Sequence, residues 1–286
     1  MGLIPAFLRG SRPVVPVVRL TGAIGVASPL RSGLTLASSA SAIQRAFAMK
    51  GAQAVAIQIN SPGGSPVQSF LIYKRIRALA EEKNLPVYVF AEDVAASGGY
   101  LIALAGDEIY ADASSIIGSI GVVSASFGFV DLIRKIGVER RVHTAGESKV
   151  MLDPFRPEKA EDVTRLKDLQ GDVHESFIAL VKERRGKRLK RPDGELFDGA
   201  FWSGRKALEL GLIDGLGDLR SRMREMLGDK VVLKTVSRER GLLRRLRGSP
   251  WVGRDGAAGS PLPGPGFADE LISAIEARAL WSRYGL

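Results

Sequence analysis

The chain has 286 residues, 45% of them hydrophobic and 25% charged, with a net charge of +10. That balance belongs to a globular protein large enough to bury a substantial core. Cysteine is absent and only two histidines occur, His143 and His174. Disulfides, thiol nucleophiles, cysteine-ligated zinc and a multi-histidine metal site are thereby excluded. Chemistry has to come from Ser, Lys, Asp, Glu and backbone groups, with no metal and no cofactor expected.

Residues 1–13 read as an N-terminal tail, lacking the apolar h-region and small-residue cleavage site of a secretory signal. Residues 14–20 are apolar and β-branched, a first strand, and 41–50 read as a short helix. Residues 54–59 form a strand that stops at Asn60-Ser61-Pro62-Gly63-Gly64. A helix follows over 65–84, with Phe70, Tyr73, Ile76, Leu79 and Ala80 along one stripe. A buried strand over 86–91 leads into Ala95-Ala96-Ser97-Gly98-Gly99 and an apolar helix through Ala105. Short strands are expected at 108–111 and 121–126, and a helix at 130–136. Residues 157–185 predict a charged helix of roughly 43 Å. Short helices with glycine breaks fill 202–227, and a closing strand is expected at 231–236.

Strands alternating with helices at this spacing predict an α/β fold, a mostly parallel sheet with flanking helices, over residues 14–236. Residues 237–266 combine a basic segment with a Gly/Pro-rich linker. Residues 267–286 place Leu271, Ile272, Ile275, Ala279 and Leu280 at helical intervals, an amphipathic helix that requires a surface to dock on. No stretch approaches the roughly 18 apolar residues of a membrane span, so the expected location is cytoplasmic. The basic runs 182–191 and 238–247 read as solvated faces, the second also suited to peripheral contact with the inner face of a membrane. Neither run interleaves aromatic residues, so no nucleic-acid partner is expected.

Two small-residue turns end apolar strands and open helices, the place where parallel sheets collect ligands and catalytic groups. The Ser61–Gly64 turn reads either as a plain strand-to-helix connection or as a source of unshielded amides for an oxyanion. Ser97 reads either as an N-cap or as a nucleophile between small neighbours, with the Gly63 and Gly98 amides converging on one oxygen. For a base, His174 lies among charges in DVHESF and reads as a surface residue, and His143 lies near a strand end. Lys149, in GESKVML, reads locally as a surface loop lysine; burial against Met151 and Leu152 would instead favour its neutral form.

Five motifs resolve the choice together. INSPGG at 59–64, AASGGY at 95–100, IIGSIGVV at 116–123, FRP at 155–157 and FWSGRKALELGLIDGLG at 201–217 occur in this order. The chain resembles the bacterial signal peptide peptidase A family over roughly residues 14–235. That resemblance implies a Clp-protease/crotonase-like fold and a serine peptidase with a Ser–Lys dyad. By it, Ser97 is the nucleophile, Lys149 the base and Ser119 the serine that orients the lysine. Gly63 and Gly98 match the oxyanion-hole amides, with Gly64 a further candidate. It also implies peptide substrates that are extended and apolar, and a homo-oligomer in the form of a ring or dome. The loop before Lys149 departs from the family by lacking an aromatic residue, and the segment after 235 lies outside the resemblance. Two other readings remain: a crotonase-like acyl-CoA enzyme, which would need an acidic base, and a catalytically silent scaffold that binds peptides or membranes.

Overall fold

A computed structural model describes residues 12–25, 33–236, 275 and 278–286. Eight strands form one sheet: β1 (Val14–Thr21), β2 (Val55–Ser61), β3 (Val87–Ala96), β4 (Glu108–Ala111), β5 (Ile116–Gly118), β6 (Phe201–Ser203), β7 (Gly215–Leu216) and β8 (Val232–Val236). The order is β6-β5-β3-β2-β1-β8, with β4 between β3 and β7. Every pairing is parallel except β5 with β6. This is the α/β architecture expected, a mostly parallel sheet with flanking helices.

The core follows from the apolar runs. Val55, Ile57 and Ile59 of β2 and Val87 and Val89 of β3 are fully buried. Each contributes about 1.5–3 kcal/mol through the apolar area it removes from water. Helix α1 (Leu36–Phe47) buries Ala42, Ile43, Ala46 and Phe47. Helix α2 (Pro66–Lys83) buries Ile72, Tyr73, Ile76, Leu79 and Ala80 at helical spacing. Ser65 caps its start by accepting from the Gln68 amide, and Pro66 occupies the first turn, where a missing N–H costs nothing.

Strand β3 divides the sheet. On one side it pairs with β2; on the other, Tyr88–Ala91 pair with β4 and Val94–Ala96 with β5. Its far end therefore stands between β2 and β5, and helix α3 (Gly98–Ala103) leaves from there with all six residues buried.

Two expected elements differ. The first helix starts at Leu36 rather than 41, because Thr35 and Ser38 form a reciprocal capping box upstream. The strand expected at 121–126 is instead Ile116–Gly118, whose antiparallel partner β6 was not anticipated. Residues 121–129 carry no regular structure. Residues 237–266 and half of the expected last helix lie outside the described residues; 278–282 of it are helical.

Candidate active site

Ser97 sits one residue beyond the last paired position of β3, and Ser119 one beyond the last of β5, where Ala96 pairs with Gly118. Adjacent parallel strands thus bring the two serines side by side. The Ser97 amide donates to the Gly118 carbonyl at 2.7 Å, and the Ser119 amide to the Ala200 carbonyl at 2.7 Å. Both serines have positive φ, 52° and 54°. Such backbone costs an ordinary residue about 1–3 kcal/mol and is held only where neighbours over-determine it.

The geometry separates the two readings of Ser97. A capping serine has extended backbone and accepts from an amide two or three residues on. Ser97 has φ 52° and ψ −125°, and its side chain makes no capping bond. Its hydroxyl finds no partner among the described residues and faces a cleft.

The two glycine turns close round it. A Cβ on Gly63, whose φ is +101°, would stand 2.7 Å from the Ser97 Cβ and 3.0 Å from the Gly98 nitrogen. Only glycine allows that approach. The Gly63 amide donates to the Ser61 hydroxyl at 3.2 Å, and Ser61 in turn donates to the Gly22 carbonyl at 2.8 Å. The amide of Gly64, which lines the cleft with Ser97, has no acceptor among the described residues. Gly98 opens α3, so its amide has no acceptor within the helix. Two unpaired amides beside an unpaired hydroxyl can hold an oxyanion.

The cleft has a volume of about 680 Å³, and Ser97, Ser119, Val122, Val123, His174, Phe197 and Asp198 line it together with Leu280 and Arg283. His174, expected on the surface, is half-buried on α5 (Ala160–Arg185), and its Nε2 lies 3.0 Å from the Ile120 carbonyl. A carbonyl only accepts, so this nitrogen carries the hydrogen. It is not available as the base. His143 is exposed and lies on no strand.

Lys149 belongs to a different environment. It lies in a single 3-10 turn, Glu147–Val150, is exposed, and does not line the Ser97 cleft. The expected burial against Met151 and Leu152 is not found in the single chain. The reason is that residues 121–159 project as an arm with little core of its own. Helix α4 (Val130–Lys135) within it has no buried residue, and Phe127 and Ile136 are 79% and 64% exposed. The arm's internal anchor is polar: the buried Asp153 accepts from the Arg140 guanidinium at 2.9 and 3.1 Å and from the Phe155 amide at 3.1 Å. The Arg140 guanidinium holds the Asp153 carboxyl below the usual carboxylate range.

Residues 79–240 match the family model "Peptidase family S49". A putative protease of Synechocystis is 32% identical over 252 residues, covering 86% of this chain and 87% of that protein. The chain belongs to peptidase family S49. A chloroplast serine protease SPPA of Arabidopsis thaliana is 32% identical, over 81% of this chain and 36% of that protein. Two Brucella proteins named Na(+)/H(+) antiporter NhaA are 58% identical over 99% of this chain. The chain spans 38% of their length, and no helix among the described residues is long and apolar enough to cross a membrane.

In this S49 member the sequence motifs mark the serine and glycine turns but not the far wall of the cleft. Phe197 comes from one segment, and Leu280 and Arg283 from another far along the chain. Nothing local distinguishes them from ordinary apolar or surface residues. His174 has one retrospective signal, its place one turn before the buried Phe177 on α5.

Proposed function

We propose that this chain is a serine peptidase in which Ser97 attacks the peptide carbonyl, Lys149 accepts the Ser97 proton, and the Gly98 and Gly64 amides hold the oxyanion. The observation that carries this reading is the unpaired Ser97 hydroxyl on a strained turn, flanked by two amides without acceptors, in an S49 chain. The tetrahedral intermediate collapses as the lysine returns the proton to the leaving amine. Water then releases the acyl group from Ser97, with the lysine again taking the proton. Ser119 stands beside Ser97 and orients the lysine amine. Gly63 supplies the space behind the nucleophile rather than a donor, since its amide is engaged by Ser61.

The base comes from a second copy of the chain. Lys149 is exposed on an arm whose apolar residues Phe127, Leu132, Ile136 and Val138 are uncovered in the single chain. Docking of that arm on a neighbour would cover them and bring the amine to Ser97. Assembly and catalysis are then one event, consistent with the expected homo-oligomer. Substrates are extended apolar peptides, because Val122, Val123, Phe197 and Leu280 line the cleft.

The test is labelling with a fluorophosphonate probe, wild type beside Ser97→Ala. Labelling of the wild type alone is expected. Equal labelling of both would remove Ser97 from its role, and labelling of neither would favour the silent scaffold.

A further inference from the structure

Tyr284 is buried far along the chain from the elements it touches. Its ring meets Phe201 edge-on with centroids 5.0 Å apart, and it clusters with Val94 and Ala96 of β3. Its hydroxyl donates to the Pro62 carbonyl at 3.4 Å. Ala96 directly precedes Ser97, and Pro62 directly precedes Gly63. One aromatic side chain thus spans the roots of both turns of the catalytic site, an apolar body on one and a polar tip on the other. Trp281 packs on the same cluster.

With Tyr284 as anchor, Leu280 and Arg283, three residues apart and on one face of a helical turn, line the cleft that contains Ser97. Arg283 forms no ion pair among the described residues. The acidic residue of the same cleft, Asp198, forms no ion pair with it; its Oδ1 accepts from the Ala200 amide at 2.9 Å. Among the described residues the cleft therefore sets apolar side chains beside a guanidinium that forms no ion pair. A guanidinium in that setting favours a carboxylate, which it can meet with two parallel N–H donors.

We infer that residues 278–286 form a wall of the peptide cleft, and that Arg283 makes the enzyme prefer peptides presenting a carboxylate beside an apolar stretch. The inference rests on the peptidase reading of the same cleft. The carboxylate belongs either to a Glu or Asp side chain or to the peptide's own C-terminus.

Two pairs of apolar peptides separate these sources: internal Glu against Gln with amidated ends, and the Gln peptide with a free against an amidated end. They are assayed with the full chain as wild type, Arg283→Gln and Arg283→Glu, each titrated with the fluorophosphonate probe to count competent serines. The wild type should favour the carboxylate member of one pair by about 10-fold in kcat/KM, as a charged hydrogen-bonded contact allows. Arg283→Gln should erase that preference and Arg283→Glu reverse it, with probe labelling unchanged in both. The pair that responds identifies the source. Normal labelling with the same preference in wild type and Arg283→Gln, or with none in the wild type, overturns the inference while leaving the peptidase standing. A wild type that neither labels nor cleaves sinks the peptidase reading and this one with it.

Discussion

Around Ser97 the chain is densely packed. Ala95, Ala96 and the first residues of α3 are fully buried or nearly so, and the serine's amide is tied to the neighbouring strand. Around Lys149 the reverse holds: a single 3-10 turn sits on an arm whose helix buries nothing and which keeps, among the described residues, one buried side chain, the Asp153 carboxylate among arginines. A nucleophile and its oxyanion donors must be preorganised, and a buried strand end provides that within one chain. A lysine base must be desolvated to stay neutral, and an exposed arm provides that only when something covers it. On the mechanism proposed above, half of the catalytic constellation is a property of the fold and half a property of association.

The sharpest way to break this comparison is at the lysine. Lys149→Ala should lower kcat by about 10²–10⁴-fold, the usual worth of a general base, with an unchanged circular dichroism spectrum. Retention of more than about a tenth of the wild-type rate would exclude the dyad. Lys149→Arg should not rescue, since a guanidinium cannot release its proton. Wild-type activity should rise as pH rises, because the base works only when neutral. Mixing Ser97→Ala with Lys149→Ala subunits sharpens the result. If the base comes from a neighbour, mixed assemblies regain part of the activity that each variant lacks alone; a dyad formed within one chain gives no recovery.

On the packed side, Gly63→Ala puts a methyl group 2.7 Å from the Ser97 Cβ at a φ of +101°. The expected cost is about 1–3 kcal/mol of stability, read as a lower denaturation midpoint, with slower probe labelling of Ser97. Normal labelling and an unshifted midpoint would show that the turn is less tightly determined than its contacts indicate. Ser119→Ala should act more mildly, by about 10-fold in kcat, because it removes an orienting contact and leaves the base in place.

The smallest effect concerns the arm's anchor. The Asp153 carboxyl has a folded-state pKa below its unfolded value of about 3.9. Its contribution is complete above that value and fades as pH falls through the lower, folded one. Proteolysis of the arm should therefore accelerate below about pH 4 before the sheet unfolds, and Asp153→Asn should show the faster cleavage already at neutral pH. Identical cleavage of the two proteins at pH 7 would remove Asp153 from that role.

Local sequence carried the framework because the relevant signals are local. Apolar β-branched runs specify strands such as Val55–Ser61, and glycine pairs after them specify turns that only glycine can make. Ser97, Ser119 and the glycine turns stood out on motif alone, since strand ends in a parallel sheet are brought together by pairing register. The start of α1 was misplaced because a capping box can lie upstream of the apolar residues that announce a helix. Short strands such as Phe201–Ser203 owe their existence to a partner across the sheet, which no window of neighbouring residues contains.

What the sequence by itself determined was the order of elements as far as β4 and the chemical types at the two turns, set by side-chain shape and backbone freedom within a few residues. Three matters were left to the tertiary structure: that Gly64 rather than Gly63 offers a free amide, that His174 spends its Nε2 hydrogen on a carbonyl, and that Leu280 and Arg283 reach a cleft built mainly from residues 62–199. Each depends on which hydrogen-bond partners and walls distant segments supply, and that is decided only when the whole sheet has closed its packing.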